Sequence, residues 1–298
     1  MTRFVQLVVD GLGQGSIYAL LAVGFVIIYK ATRVISFAQP ALMVTGACFV
    51  IYMATERDWN FFLSVALAVV ATAVVALVVE RLALRPMVGK PVFVVAIITI
   101  GVDVVLRLFV NHYLGLDLPR PVGDPWGLDT MSVGGIAIEE RRLATMAVSA
   151  VVVTGLFAFF KYSRMGLAMR ATAADQETSL AHGVSVGTVF ALSWAIAGAL
   201  AALAGAFVGA GSGVDLGTWT VALKALPAII LGGLDSVGGA VIGGLAVGVV
   251  ETLVGGYQSD WFPWLGNNFS FVSPYVLMLA VLLVRPYGLF GTPEIERV

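Results

Sequence analysis

Asp103 and Arg107 stand four residues apart in an apolar stretch, the spacing at which a carboxylate and a guanidinium on one helix face meet. Self-pairing offsets part of the cost of removing both charges from water, and it ranks ahead of a role in translocation, the other chemistry that intramembrane charges perform. Lys224 lies in a short apolar segment with Pro227, where its ammonium meets either a carboxylate or a substrate. Glu80, Glu251 and Asp10 fall near the ends of apolar stretches, positions from which they are expected to snorkel to the interface. There is no phosphate loop of the form G-x-x-x-x-G-K-S/T, no H-E-x-x-H and no G-x-S-x-G, so ATP hydrolysis and hydrolase chemistry lack residues to carry them. One cysteine, Cys48, cannot form an internal disulfide, and two distant histidines, His112 and His182, do not make a zinc set. No catalytic residue, metal or cofactor is expected in this chain.

The elements that position these groups follow from composition. Of 298 residues, 59% are hydrophobic and 12% charged, against about 25% charged in a soluble domain, so lipid is the expected solvent. With 17 basic and 18 acidic residues there is no basic stripe for nucleic acid. A spanning helix needs about 20 mainly apolar residues, because lipid supplies no hydrogen bonds to the backbone. Eight stretches qualify as candidates, at 4–29, 34–54, 61–79, 92–110, 143–160, 186–208, 237–254 and 271–284. The first has no small-residue cleavage site and is expected to stay as a membrane helix. A further piece, 221–231, is too short to cross and runs into the glycine-rich stretch 232–239. The fold class expected is therefore an all-α polytopic membrane protein, a single domain over 1–298 with about eight transmembrane helices and a short re-entrant or half-helix segment.

Orientation follows from Lys and Arg, which collect in cytoplasmic loops. One set of loops holds Lys30, Arg33, Arg81, Arg85, Lys90, Lys161, Arg164, Arg170, Arg285 and Arg297, and the opposite set only Arg3, Arg57, Arg120, Arg141 and Arg142. The first set marks the cytoplasm, which places the amino terminus outside and the carboxyl terminus inside. A carboxyl-terminal reporter that works only outside the cytoplasm is expected to stay silent, and an active one overturns the topology. The connection 111–142, with Pro119, Pro121 and Pro125, then reads as an extracytoplasmic surface cap, since proline disfavours regular helix.

The loop 161–185 is the longest cytoplasmic connection. Its alanines favour a short surface helix, and Gly183 suits the left-handed residue that ends one. Such a helix either docks in a cytoplasmic partner or merely connects two spans. Glycines recur four apart at Gly11 and Gly15, Gly205 and Gly209, Gly239 and Gly243, Gly244 and Gly248, spacing that lets helix backbones approach closely in lipid. Close packing ranks ahead of a ligand role. Gly209, Gly211 and Gly213, followed by the segment with Pro227, point to a broken helix of the kind tolerated inside protein or along a water-filled path.

Several stretches, in order along nearly the whole chain, resemble the permease subunits of branched-chain amino acid type ABC importers. Residues 15–24 look like the family's first-span signature, 166–171 with 181–184 its cytoplasmic loop, 197–205 its alanine-glycine span, 231–240 its glycine-rich turn and 285–291 its carboxyl-terminal signature. The resemblance implies a second, homologous permease subunit, two cytoplasmic ATPase subunits that bind ATP and Mg, and an extracytoplasmic solute-binding protein, assembled in the bacterial inner membrane. By the same likeness 161–185 is the coupling loop, with Arg170, Asp175 and Glu177 as contacts to the ATPase; Ser36 and Gln39, with Asp103 and Lys224 as the intramembrane charges read above, are the candidates for the translocation path. The family's second span commonly opens Asn-Phe-Ala-His-Gly, where this chain has Ser36, Phe37, Ala38, Gln39 and Pro40. An amide thus replaces a titratable ring, and the cargo extends to related amino acids, amides, urea or organic acids. The competing reading is a secondary transporter or channel with Asp103 or Glu251 as its coupling carboxylate. Co-isolation of ATPase subunits separates the two.

Overall fold

The computed structural model describes residues 2–87, 90–127, 129–133, 136–261, 264 and 268–292. Arg297, one of the basic residues that set the expected orientation, lies outside them. The described chain is almost wholly helical. Among the described residues six helices are long and apolar enough to cross a membrane: α1 (Thr2–Thr32), α3 (Phe61–Val79, continuing as a π-helix over Glu80–Leu84 and a 3-10 turn over Arg85–Met87), α4 (Val92–Leu114), α5 (Glu140–Tyr162), α8 (Val186–Ser212) and α11 (Val237–Trp261). Between them lie α2 (Gln39–Val50, continuing as a π-helix over Ile51–Glu56), α6 (Arg164–Ala174), α7 (Gln176–Ala181), α9 (Trp219–Leu223) and α10 (Ala225–Gly232). The last described helix is α12 (Ser273–Val284).

The second expected span opens later than its hydropathy suggests. Residues 34–38 are irregular, and α2 begins at Gln39 with Pro40 in its first turn, where proline's missing N–H costs nothing. The short piece 221–231 is two helices, α9 and α10, with Lys224 at the break. The surface cap contains a small hairpin, β1 (Thr130–Val133) antiparallel to β2 (Ile136–Glu139), paired Thr130 to Glu139 and Val133 to Ile136. Its apolar alternation, Ile136 and Ile138, is too brief to stand out from sequence.

The chain forms two compact units. One comprises Met1–Val26, Trp126–Ser149 and Leu223–Val298; the other comprises Ile27–Pro125 and Ala150–Ala222. In the second unit α2 is nearly all buried, packed on α3, α4 and α8. Small residues permit that approach: Gly46 lies against Ala202, Gly198 against Ala76 and the Thr72 carbonyl, and Gly205 against the Met43 carbonyl. The apolar residues of α4 and α5 largely face outward, as lipid-facing helices do, with Val105 65% and Val151 72% exposed.

In the first unit Gly11 and Gly15 of α1 interlock with Gly244 and Gly248 of α11, so the paired glycines serve close packing. Gly239 and Gly243 likewise seat on Gly232 and Ala228 of α10. The stretch after α12 returns to the end of α10, with Leu289 N–H donating to Leu231 O at 2.8 Å and Phe290 N–H to Gly232 O at 3.1 Å. Gly233 at φ +103° and Gly288 at φ +78° make that contact, since each backbone is left-handed and pressed against the other's segment.

Candidate functional site: buried polar groups and the 161–185 connection

The connection 161–185 folds as two helices rather than one. Gly166 sits so close to the end of α5 that a Cβ there would lie 2.5 Å from the Phe159 carbonyl oxygen, and this tight seating turns the chain into α6. Ser163 caps α6 by accepting from Gly166 N–H at 2.8 Å. Asp175, in extended backbone, ends α6 and caps α7, its carboxylate accepting from Thr178 N–H at 3.0 Å and from the Thr178 hydroxyl at 2.6 Å. Those hydrogen bonds hold the Asp175 carboxyl below its ordinary value of 3.8. The cap is therefore present above that value, and is lost only as pH falls through the lower folded value. Gly183, at φ +81°, terminates the segment as expected.

Two hydrogen bonds fasten this element to the end of α1. The Arg33 guanidinium donates to Ala173 O at 2.8 Å, and the Gln176 amide donates to Ala31 O at 2.9 Å. Arg33 itself has φ +58°, unusual for a residue with a Cβ, in the bend that follows α1. Arg170, Asp175 and Glu177 share the element: Arg170 and Glu177 are exposed, and Asp175 caps. Sequence reasoning singled out those three and missed Arg33 and Gln176. Nothing local marks a glutamine whose partner is a backbone carbonyl 145 residues away.

Ser36 and Gln39 lie together before and at the start of α2, both buried. The Ser36 hydroxyl accepts from Ala38 N–H at 3.3 Å, and Phe37 N–H donates to the Thr99 hydroxyl at 3.0 Å. The Gln39 amide donates to Ala197 O at 3.1 Å, while its carbonyl oxygen has no hydrogen-bond partner. An amide serves here because one end of it is spent on the α8 backbone. Asp103 lies beside the Ala41 amide in the first turn of α2 and pairs with Arg107, as its spacing predicts. Arg107 in turn covers the Trp219 ring at 4.5 Å from its centroid. Ser36, Gln39 and Asp103 thus belong to one unit, and Lys224 to the other.

Lys224 meets a carboxylate. Its ammonium pairs with Glu251 and lies 4.1 Å from the Phe271 ring centroid, while the Tyr18 hydroxyl donates to the second Glu251 oxygen at 2.6 Å and Gln14 donates to Tyr18 at 3.1 Å. The expectation that Glu80, Glu251 and Asp10 snorkel is corrected by these contacts and their counterparts. Glu80 is 2% exposed and accepts from Arg85 at 3.1 Å; Asp10 pairs with Arg142 at 3.3 Å. In each case an internal cation replaces the interface as partner, because the carboxylate points into protein rather than outward. Arg142 also pairs with Glu139 of the hairpin at 3.2 Å. Burial pushes the Glu139 carboxyl up, but Arg142 and Arg141 together outweigh it and hold the carboxyl below its ordinary value.

Comparison with known proteins meets this geometry. A family model described as branched-chain amino acid transport system / permease component matches residues 7–282. The high-affinity branched-chain amino acid transport system permease protein LivH of Escherichia coli is 31% identical over 310 residues, covering 99% of this chain and 98% of that one. The corresponding BraD of Pseudomonas aeruginosa is 31% identical over 312 residues, with the same coverage. A probable branched-chain amino acid transport permease protein of Methanocaldococcus jannaschii is 27% identical over 282 residues, 93% of this chain and 89% of that one. Among solved structures, PsaBC from Streptococcus pneumoniae in complex with Fab superposes with a TM-score of 0.51 at 12% identity, covering 93% of this chain and 91% of that one, a likeness of fold.

Proposed function

This chain belongs to the family of branched-chain amino acid transport system permease components, and from that premise we propose that it forms one half of the membrane path of an ATP-driven importer. The cargo is a branched-chain or related small amino acid handed over by an extracytoplasmic solute-binding protein. A second permease subunit completes the path, and two cytoplasmic ATPase subunits bind the nucleotide and Mg. The chain sits in the inner membrane with its amino terminus outside and its carboxyl terminus in the cytoplasm, the orientation in which α6 and α7 face the ATPases.

The observation that carries this reading is the pair of hydrogen bonds from Arg33 and Gln176, which tie the α6–α7 element to the end of α1. A push on that element from a closing ATPase moves a span directly, with Arg170, Asp175 and Glu177 as its polar contacts. Ser36 and Gln39 border the path, and the buried, unpartnered Gln39 carbonyl oxygen meets a polar solute when the helices around it part. Asp103, paired with Arg107, steadies α4 in the same unit, and Lys224, paired with Glu251, ties the start of α10 to α11 in the other.

Reconstituted with its partners, the Arg33→Ala, Gln176→Ala double variant is expected to keep ATP hydrolysis while uptake falls roughly tenfold, within the span of a coupling free energy of about 1–3 kcal/mol. Uptake at the normal rate removes the coupling role. In the same assay, Ser36→Ala with Gln39→Ala should change uptake or stimulated ATP hydrolysis. If both stay unchanged, neither residue borders the path.

A further inference from the structure

Where α5 ends and α6 begins, within the unit formed by Ile27–Pro125 and Ala150–Ala222, the surface holds an open groove of about 450 Å³. Clefts that take small ligands occupy about 300–1,000 Å³, so the space suits a lipid headgroup and the first carbons of its chains. Helical spacing builds one wall: Thr154, Phe157, Ala158 and Lys161 follow the i, i+3, i+4, i+7 pattern that shares one face of α5. Val151, 72% exposed, precedes them on that face, so the groove opens from a lipid-facing stripe. The other wall comes from α6. Gly166 seats α6 on the Phe159 carbonyl, and Arg170, one turn further along the same side, reaches the groove.

Two cations stand at the rim and no acid among the described residues lines the groove. Lys161 and Arg170 are exposed, and neither makes an ion pair among the described residues. The Lys161 ammonium lies 5.2 Å from the ring centroid of Tyr162, itself 78% exposed. An aromatic ring beside a cation at the end of a span is the arrangement that sits at headgroup level, with stems in hydrocarbon and polar tips in the interface. A phosphate answers both cations, and the planar guanidinium can grip it through two parallel N–H bonds. A zwitterionic headgroup would add an ammonium that no carboxylate here receives. Free phosphate would leave Phe157 and the apolar stripe uncovered.

We propose that this groove seats an anionic phospholipid, its phosphate between Lys161 and Arg170 and its acyl chains along Phe157 and Ala158. Such a lipid bridges the end of α5 to α6. Arg170 carries five N–H donors, so a phosphate that takes two leaves others for the ATPase contact. The leaflet the lipid comes from, and its bearing on coupling, rest on the transport reading above; the binding itself does not.

The test is native mass spectrometry of the full chain in detergent, titrated with dioleoylphosphatidylglycerol. Saturable retention of a single lipid is expected, with dioleoylphosphatidylethanolamine held about tenfold more weakly or less. Lys161→Gln with Arg170→Gln should lower retention of phosphatidylglycerol by about tenfold, the combined effect of two cations at a membrane surface. Arg81→Gln with Lys90→Gln removes the same charge outside the groove and should leave retention unchanged. Ala158→Trp, which fills the apolar wall while both cations remain, should weaken retention as well. Helicity and thermal midpoint check that each variant is folded, and the preference between the two lipids decides the matter on the unaltered chain. Neither glycerophosphoglycerol nor inorganic phosphate should displace the lipid. Equal retention of the two lipids, full retention by a folded Lys161→Gln, Arg170→Gln or Ala158→Trp variant, an equal loss in Arg81→Gln, Lys90→Gln, displacement by inorganic phosphate, or a second copy of the chain in place of the lipid overturns the proposal. Because uptake is not the readout, such a failure leaves the importer reading standing, and loss of that reading leaves the lipid result intact.

Discussion

Glu251→Gln is expected to lower the stability of the protein by about 3–5 kcal/mol, the cost of leaving one partner of a buried ion pair without the other. Lys224 and Glu251 have side chains only 8% and 13% exposed, so water cannot take over the role of the lost partner. Tyr18 would still find an oxygen on the glutamine, which confines the damage to the Lys224 ammonium and its place beside Phe271. Lys224→Met combined with Glu251→Gln should therefore recover most of the loss, since neither charge remains to be buried alone. Unfolding midpoints of the two single variants and the double in detergent form a cycle that measures the coupling. Strictly additive losses would show that the pair is not energetically linked. The same double variant separates two roles of Lys224: a stable protein without uptake places the ammonium on the path, and a stable protein with normal uptake makes it a tie between α10 and α11.

The second large effect concerns backbone contact. Gly248→Leu is expected to eliminate folded protein, because the first side-chain carbon would fall on the Gly15 backbone, where no neighbour can rotate away. Overpacking with flexible neighbours costs about 1–3 kcal/mol, and a backbone obstacle puts this site at or above the upper end. Gly15→Leu should behave alike, since its Cβ would lie 2.7 Å from the Leu245 Cα. Gly101→Leu and Gly155→Leu provide the contrast: nothing stands within 4 Å of a Cβ at either, so both should give wild-type yield and thermal midpoint. A folded Gly248→Leu protein with unchanged midpoint would mean that α1 and α11 do not meet through these glycines.

Most of the architecture was legible because lipid imposes strict local conditions. A helix must close its own hydrogen bonds and present apolar residues for its full length, so α3 spans the predicted 61–79 and the other long helices differ only at their ends. Pairing of Asp103 with Arg107 was equally readable, since helical spacing alone brings them together. The glycine repeats announced close packing without saying against what. By contrast, the division of 161–185 at Asp175 was not foreseen, because an alanine-rich run has no propensity signal strong enough to outweigh one capping carboxylate. The fates of Glu80, Glu251 and Asp10 were misjudged for a related reason: position near the end of a span favours snorkelling only when no internal cation is closer.

Sequence by itself pointed to a helical membrane protein of the permease family and to the six long apolar helices among the described residues, because composition, length and motif are properties of contiguous residues. Tertiary structure alone decided that Gln176 holds Ala31, that Lys224 faces Glu251 and that Gly15 receives Gly248. Those partners are tens to hundreds of residues apart, and only the packing of helices on one another brings them within reach.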